Sequence, residues 1–435
     1  MSSSRSDALG LYISVPFCRS KCTYCNFASG VYPASDHALY VDRLISDLAA
    51  ARAWAERRNA VLPRRVDTVY LGGGTPSLLA PELLSRLFAA VRAEFDLEPD
   101  AEITVECAPG QLAELTLKAL VAAGVNRVSL GAQSFIDREV KSCGRLHSRA
   151  VVLAEIERLR AAGIDNLNVD LIAGLPGQTF ASWEESLAVL AATAVPHASV
   201  YMLEVDEDSR LGREVLGGGA RYHADQVPTD DDLAQMYSVA IEKLRQAGLE
   251  QYEISNFCRP GMESRHNLRY WQRRPYLGLG LDASSMLLEA SPAEEGIEAG
   301  RVLRSTTTDD LKEYLAGAPL VEESWLAPAQ QHEEAWFLAL RLNDGANVAA
   351  VEREFGRGMV APALKAVKRL AEAGLLVFDG QTVCLTPHGQ LLSNDVFQEF
   401  LDLRAEEGPA NEALQLPEKP SALSSQPAPP VLPRH

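Results

Sequence analysis

The feature that most constrains this chain is an alternation, carried through six rounds, of a short apolar, β-rich run with a helix-period stretch. The runs cover 11–15, 66–71, 102–106, 127–132, 168–172 and 199–205; the helical stretches between them cover 40–55, 81–94, 112–122, 149–161 and 180–192. Parallel strands need long crossovers, and a helix is the usual one, so this order predicts an α/β fold around a parallel sheet. Pro81 fits a first helical position, and Gly124 and Gly163 fit the residue just past a helix end. Such a sheet is either open and doubly wound or curved into a partial barrel, and periodicity does not choose. Both architectures put their chemistry at the C-terminal edge of the strands.

The polar phrases fall on that edge. Leaving the first run, the chain reads Cys18-Arg-Ser-Lys-Cys22-Thr-Tyr-Cys25, a C-x3-C-x2-C spacing on one loop. A loop of this kind can wrap three thiolates around three irons of a cubane cluster and leave the fourth iron open. An open iron is what a cluster needs if it is to bind and reductively cleave S-adenosylmethionine (SAM). The competing readings are three thiols on a plain loop, or part of a zinc site. Zinc usually closes four ligands, often through paired C-x2-C units, and no partner pair follows here.

After the second run comes Gly72-Gly-Gly-Thr-Pro76, where the missing Cβ atoms let a ligand approach the backbone. It is not a Walker loop, because no Gly-Lys-Ser/Thr follows. Glu106 ends the third run, Gln133 follows the fourth, and Asp170 lies on the fifth. Polar groups in such places are costly unless they bind something, and each alone is better explained by a hydrogen bond to a neighbouring loop. Converging on one rim, they favour a ribose and amino-acid site. Arg145 is a candidate partner for a SAM carboxylate, whereas His147 is expected to be structural.

Composition narrows the partners. The 435 residues carry 41 Lys and Arg against 59 Asp and Glu, a net charge of −18. That excludes nucleic-acid backbones and anionic membranes as main partners, since both ask for basic patches. Apart from the trio, the cysteines stand isolated at 107, 143, 258 and 384, which is no disulfide framework. The first residues are short and polar with no apolar targeting stretch, and no run of 18 apolar residues offers a transmembrane span. The expected location is the cytoplasm, where an open-site cluster survives.

The pattern changes after residue 206. Residues 207–228, containing Gly217-Gly-Gly219, predict a mobile connection; a helix at 230–246 and a strand near 251–254 follow. Next come an aromatic, basic loop through His266, a Gly-rich strand near 276–288, and an acidic hairpin tip at 289–300. From 328 to 402 the text reads three helices and two short strands joined by Asp379-Gly380, a strong hairpin signal. Helices followed by a hairpin suggest a winged-helix-like α+β module, a type that often binds DNA. With six basic residues against ten acidic ones, this one is not expected to. Seven prolines between 409 and 435 predict a disordered tail. The expected domains are therefore 1–206, 207–327, 328–402 and the tail 403–435.

Taken in succession, 12–18 (Tyr-Ile-Ser-Val-Pro-Phe-Cys), 71–76 (Leu-Gly-Gly-Gly-Thr-Pro), 125–135 (Val-Asn-Arg-Val-Ser-Leu-Gly-Ala-Gln-Ser-Phe) and 168–178 (Asn-Val-Asp-Leu-Ile-Ala-Gly-Leu-Pro-Gly-Gln) resemble the oxygen-independent coproporphyrinogen III oxidase family of radical-SAM proteins. The resemblance runs in order from about residue 9 to 402. It implies a partial (β/α)6 TIM-type barrel with one 4Fe-4S cluster on Cys18, Cys22 and Cys25 at its mouth. Carried over position by position, Tyr12, Tyr24, Gly73, Gly74, Thr75, Glu106, Gln133, Arg145 and Asp170 would line the SAM pocket. Cys107-Ala-Pro109 departs from the family, which usually has Asn before that proline, so a loop contact there is in doubt.

Two branches of the family must be separated. The oxidase carries a further cysteine two residues after the trio and a longer N-terminal extension. Here Asn26-Phe27 stands in that place and 17 residues precede Cys18, which resembles the other branch, the HemW-type heme chaperones. His266-Asn-Leu-Arg-Tyr-Trp271 matches that branch's H-N-x-x-Y-W phrase, implicated in heme binding, and 385–394 resembles its C-terminal domain. The resemblance thus implies a chaperone that binds heme and delivers it to a respiratory heme enzyme. The alternatives are oxidative decarboxylation of coproporphyrinogen III or another radical-SAM reaction. An imidazole is a good axial ligand for heme iron, so His266 is the candidate ligand. Asn267 shares its phrase, Tyr270 and Trp271 could stack on the porphyrin, and Arg265, Arg269 or Arg273 could meet propionates. The blander reading has His266 ordering a loop and the aromatics in a core. The acceptor and the oligomeric state, a dimer included, are left open.

Overall fold

A computed structural model describes residues 8–290, 299–317, 320–401 and 403. The predicted acidic hairpin tip lies largely outside these residues, and the proline-rich tail almost wholly so. The chain opens with β1 (Leu9–Val15), α1 (Ala34–Glu56), the two-residue β2 (Ala60–Val61), β3 (Arg65–Gly73), α2 (Pro81–Glu94), β4 (Asp96–Cys107) and α3 (Glu114–Ala122). It continues through β5 (Arg127–Gln133), α4 (Asp137–Ser142), α5 (Arg149–Ala161), β6 (Asn166–Ala173), α6 (Phe180–Thr193) and β7 (His197–Met202). Strands β1, β3, β4, β5, β6 and β7 pair in that order, every pair parallel. The predicted six-fold alternation is therefore a row of β/α units. Among the described residues the sheet counts thirteen strands, and its terminal strands do not pair with each other, so the barrel is open.

Alternation along the strands explains both faces. On β5, Val128, Leu130 and Ala132 join the hydrophobic core under the helices, while Arg127, Ser129, Gly131 and Gln133 face a cavity. On β6, Leu167, Val169 and Leu171 take the core side, and Asn168 and Asp170 the cavity side. The two-residue period of a strand makes each second residue share a face. Helices pack on the apolar set. Thr179 and Thr229 start α6 and α8 (Asp230–Gln246) with capping boxes.

The predicted mobile connection is instead structured, with α7 (Arg210–Leu216) followed by a 3-10 turn at Arg221–Gln226. Ser209 caps α7 by accepting from Gly212 N at 2.8 Å. Strands β8 (Glu250–Glu253) and β9 (Asn256–Cys258) extend the sheet beyond β7. The predicted loop through His266 is a short helix, α9 (Arg265–Trp271), with Ser264 at its N-cap. The predicted Gly-rich strand is two strands, β10 (Tyr276–Leu279) and β11 (Ser284–Glu289), antiparallel to each other. A Cβ at Gly278 would lie 2.2 Å from Ser284 O, so the close approach of these two strands needs glycine. The sheet's other end is β12 (Val302–Thr307), followed after α10 (Leu311–Ala316) by β13 (Leu320–Leu326).

The remaining elements are α11 (Pro328–Leu340), β14 (Ala346–Asn347), α12 (Val348–Phe355), α13 (Arg357–Glu372), β15 (Leu376–Phe378), β16 (Thr382–Leu385), α14 (Pro387–Leu391) and α15 (Ser393–Gln398). They gather on a core of their own that includes Trp336, Phe355, Val360, Leu370, Val383 and Phe400. Gly380 takes a φ of +94° in the turn between β15 and β16, a conformation that glycine alone adopts without strain. No helix among the described residues is long and apolar enough to cross a membrane.

Candidate functional site

The cysteine loop leaves β1 at the edge where β3 delivers the glycine loop, because Val15 and Gly73 are register partners. The two loops are tied directly: Gly74 N donates to Val15 O at 2.9 Å and Thr75 N to Phe17 O at 2.8 Å. A Cβ at Gly74 would sit 2.7 Å from Val15 O and 2.9 Å from Phe17 O, and Gly73 has a φ of +95°. The two glycines are thus required for different reasons, one by close approach and the other by backbone conformation. The loop's own frame is backbone: Gly30 N donates to Pro16 O and Cys18 N to Gly30 O. Thr23 N donates to Cys143 O at 3.1 Å, tying the loop to the segment after α4.

A third support was illegible in the sequence. Leu211 N donates to Thr23 O at 2.8 Å, Arg210 donates to Lys21 O, and the Asn26 amide donates to Asp206. The segment 206–211 therefore braces the cysteine loop from outside. A Cβ at Gly212 would lie 2.0 Å from Asp206 O, so only glycine admits this packing.

Cys18, Cys22 and Cys25 border one cavity of about 390 Å3, within the usual range for a small-molecule site. All nine residues expected to line a SAM pocket border it too: Tyr12, Tyr24, Gly73, Gly74, Thr75, Glu106, Gln133, Arg145 and Asp170. Glu106 accepts from Tyr70 Oη at 2.8 Å. Burial pushes its carboxyl up to about 7, against the lowering effect of the Tyr70 hydrogen bond. Burial also raises Asp170, while bonds from Ser129 (3.0 Å) and Asn168 (2.6 Å) oppose that rise. His147 contacts Ala132 O at 3.0 Å through Nε2, as a structural histidine would.

The residues fit a cluster with a bound SAM. Tyr24 Oη, Gln133 Oε1 and Arg145 Nε are buried polar atoms with no hydrogen-bond partner among the described residues. All three residues border the cavity that the thiols border. Buried polar groups left bare are costly, so their convergence asks for a polar ligand. Among the described residues no three His, Cys, Asp or Glu side chains are spaced to hold a single metal ion. A cubane asks for another spacing, one thiolate on each of three irons.

Sequence reasoning missed Tyr70, Arg127, Ser129, Asn168, Ser199 and Tyr201, which also border the cavity. The signal was available: Ser129 and Arg127 lie two and three strand periods from Gln133's side of β5, and Asn168 lies one period from Asp170. Asn168 ties Asp170 to a buried network, reaching His197 Nδ1 at 2.7 Å; His197 Nε2 meets Tyr252 Oη at 3.0 Å.

The H-N-x-x-Y-W phrase lies elsewhere. His266 is fully buried, with Nδ1 on Thr68 Oγ1 at 2.9 Å and Nε2 on Tyr270 Oη at 2.8 Å. Its backbone N donates to Glu102 at 3.0 Å. Thr68 and Glu102 are register partners on the cavity-facing rows of β3 and β4, four residues before Gly72 and Glu106 and so away from the cysteine edge. The imidazole stacks on Tyr70 at 5.2 Å, and Tyr12 stacks on Tyr70 at 6.1 Å, so α9 lies beneath the aromatic floor of the SAM cavity. Of the four candidate heme residues, Asn267 borders the cavity; Tyr270 and Trp271 are buried in a hydrophobic cluster. Arg269 pairs with Asp67, and Arg273 pairs with Glu354 at 2.6 Å. Arg265 meets Asp100 O at 2.7 Å.

Known proteins share this plan. Residues 12–190 match the family model for the radical SAM superfamily, and 326–392 match that for the HemN C-terminal domain. The heme chaperone HemW of Lactococcus lactis subsp. lactis is 33% identical over 393 residues, covering 90% of this chain and 96% of that protein. The heme chaperone HemW of Escherichia coli is 32% identical over 403 residues, covering 90% and 98%. The solved coproporphyrinogen III oxidase (HemN) of Escherichia coli, a radical SAM enzyme, superposes with a TM-score of 0.76 at 24% identity, covering 91% of each chain.

Proposed function

The chain belongs to the HemW family within the radical SAM superfamily, and from that premise we propose that it is a cytoplasmic heme chaperone. In this reading it binds heme, one 4Fe-4S cluster and SAM, and delivers heme to a respiratory heme enzyme. The observation that carries the reading is the convergence of three thiols and three unpartnered polar atoms on one cavity, with the H-N-x-x-Y-W helix under its floor. Cys18, Cys22 and Cys25 would hold the cluster. Gly73, Gly74 and Thr75 would offer backbone to the methionine end of SAM, Arg145 its carboxylate partner, and Asp170, Gln133 and Glu106 the acceptors for its ribose and ammonium. When bound, a cluster with an open iron supplies one electron to the sulfonium. Phe27 stands two residues after Cys25, where the oxidase branch has a further cysteine, and the preceding Asn26 is held by Asp206.

Anaerobic reconstitution tests this reading in two arms. Coproporphyrinogen III supplied with SAM and reductant is expected to return unchanged, and heme titrated separately is expected to bind stoichiometrically. Formation of protoporphyrinogen IX would overturn the chaperone reading in favour of oxidative decarboxylation.

Glu106 adds a pH dependence. Its carboxyl titrates near 7 because it is buried, and the acceptor SAM requires is the ionised form. Affinity for SAM is therefore expected to level off above that pH and to fall below it by about tenfold per pH unit, the slope of one proton. Glu106→Gln should flatten the profile. An unaltered slope in the variant would assign the titration to another group.

A further inference from the structure

Arginine is rarely buried without a partner, and this fold shows the ordinary treatment at Arg269. That guanidinium is fully buried, pairs with Asp67, and donates to Ala8 O at 3.1 Å and Pro275 O at 2.8 Å. Arg127 is treated differently. It is 2% exposed, yet among the described residues its guanidinium donates no hydrogen bond and joins no ion pair, and its Nε is buried without a partner. It opens β5 on the row of Ser129, Gly131 and Gln133, and it borders the same cavity as the thiols. Asp170 on the neighbouring strand attracts it through space without bonding it, so the charge has a neighbour but the guanidinium donors have no acceptor, and buried donors left bare are costly.

The candidate SAM ligand does not supply that acceptor. SAM has one carboxylate, and Arg145 already stands at the cysteine end, its Nη2 close over Gly131. Arg127 lies four residues back along the strand, roughly 13 Å at about 3.3 Å per residue. One carboxylate does not serve both. The same cavity is also lined by Asn267 of α9 and by Arg341 at the C-terminal end of α11. Arg341 lies 4.3 Å over the Trp271 ring and 3.5 Å from Glu253, and its Nε too lacks a partner.

We propose that Arg127 anchors a second ligand carboxylate at the inner end of the cavity, and that the carboxylate is a propionate of the bound tetrapyrrole. The source of the carboxylate rests on the heme reading above; the need for one rests on the unpaired guanidinium. Guanidinium and carboxylate match in a bidentate pair, which fixes orientation as well as charge.

The test uses full-length, cluster-reconstituted protein titrated with hemin, hemin dimethyl ester and SAM. Unaltered protein is expected to bind hemin about ten- to hundred-fold more tightly than the ester, the worth of one charge-assisted pair. Arg127→Met should erase that difference by weakening hemin alone, leaving SAM within about twofold, and Arg127→Lys should restore part of it. The melting temperature of ligand-free Arg127→Met should hold, because the guanidinium removed donates no hydrogen bond in the ligand-free fold. Equal affinity of acid and ester on the unaltered protein overturns the proposal without needing a variant to fold. Weakened SAM binding in Arg127→Met, with hemin unaffected, overturns the propionate and gives the guanidinium to SAM. Should unaltered protein take up no hemin, the chaperone reading falls, and the propionate anchor falls with it. The SAM arm then shows separately whether Arg127 holds any carboxylate.

Discussion

Cys22→Ala is expected to leave the anaerobically reconstituted protein with background iron and no cluster absorbance, while its far-ultraviolet circular dichroism stays that of the parent. The reason lies in how the loop is held. Its backbone is fixed by Gly30, by Cys143 O, by the glycine loop and by Leu211, and none of those bonds uses a cysteine thiol. Removing one thiol therefore strips a cluster ligand without unfolding the frame. A cubane with two protein thiolates where three are needed does not persist. Cys143 is the informative control, because its carbonyl touches the loop while its side chain is 1% exposed and packed with Leu175, Leu203 and Leu211. Cys143→Ala should keep its iron and its SAM binding. Unchanged iron in Cys22→Ala would refute the cluster assignment, and lost iron in Cys143→Ala would mean that no iron is left open for SAM.

How much of this was legible beforehand follows from the kind of signal each element carries. The β/α row and the residues at the strand ends were legible because strand period and edge chemistry are local properties of the text. Glu106, Gln133 and Asp170 met on one cavity as strand order requires. Deeper residues on the same rows, Arg127 and Asn168 among them, follow from the two-residue period once one member is fixed. Other features depend on contacts made across the fold. Residues 207–228 read as a Gly-rich, charged connection, yet Thr23 O and Lys21 O supply Leu211 and Arg210 within it with partners. The His266 phrase reads as an aromatic, basic loop. It becomes a helix because Ser264 caps it and Glu102, on a strand far away in sequence, accepts from Arg265 N and His266 N at 3.0 Å each. Tertiary partners of this kind override local composition.

The same partners set opposite expectations for two variants of α9. If His266 becomes an axial ligand of heme, its Nε2 must first leave the Tyr270 hydroxyl, which it meets at 2.8 Å. That bond competes with iron. Tyr270→Phe keeps the ring, which packs at 4.7 Å against Tyr276, and removes the competitor. A hydrogen bond of this kind contributes about 1 kcal/mol, so heme affinity is expected to rise roughly fivefold in Tyr270→Phe. His266→Ala should abolish the axial ligation signature while the cluster absorbance stays. It should also lower stability by about 2–4 kcal/mol, because a fully buried ring is lost and the Thr68 and Tyr270 hydroxyls lose a partner. Histidine as a plug beneath the SAM floor predicts something else. Both variants then loosen α9 and shift heme uptake in the same direction, with no change in axial ligation. Parallel changes in the two titrations would rule out His266 as the ligand, and opposite changes would assign the iron to it, with Tyr270 as the group that holds the imidazole in reserve until heme arrives.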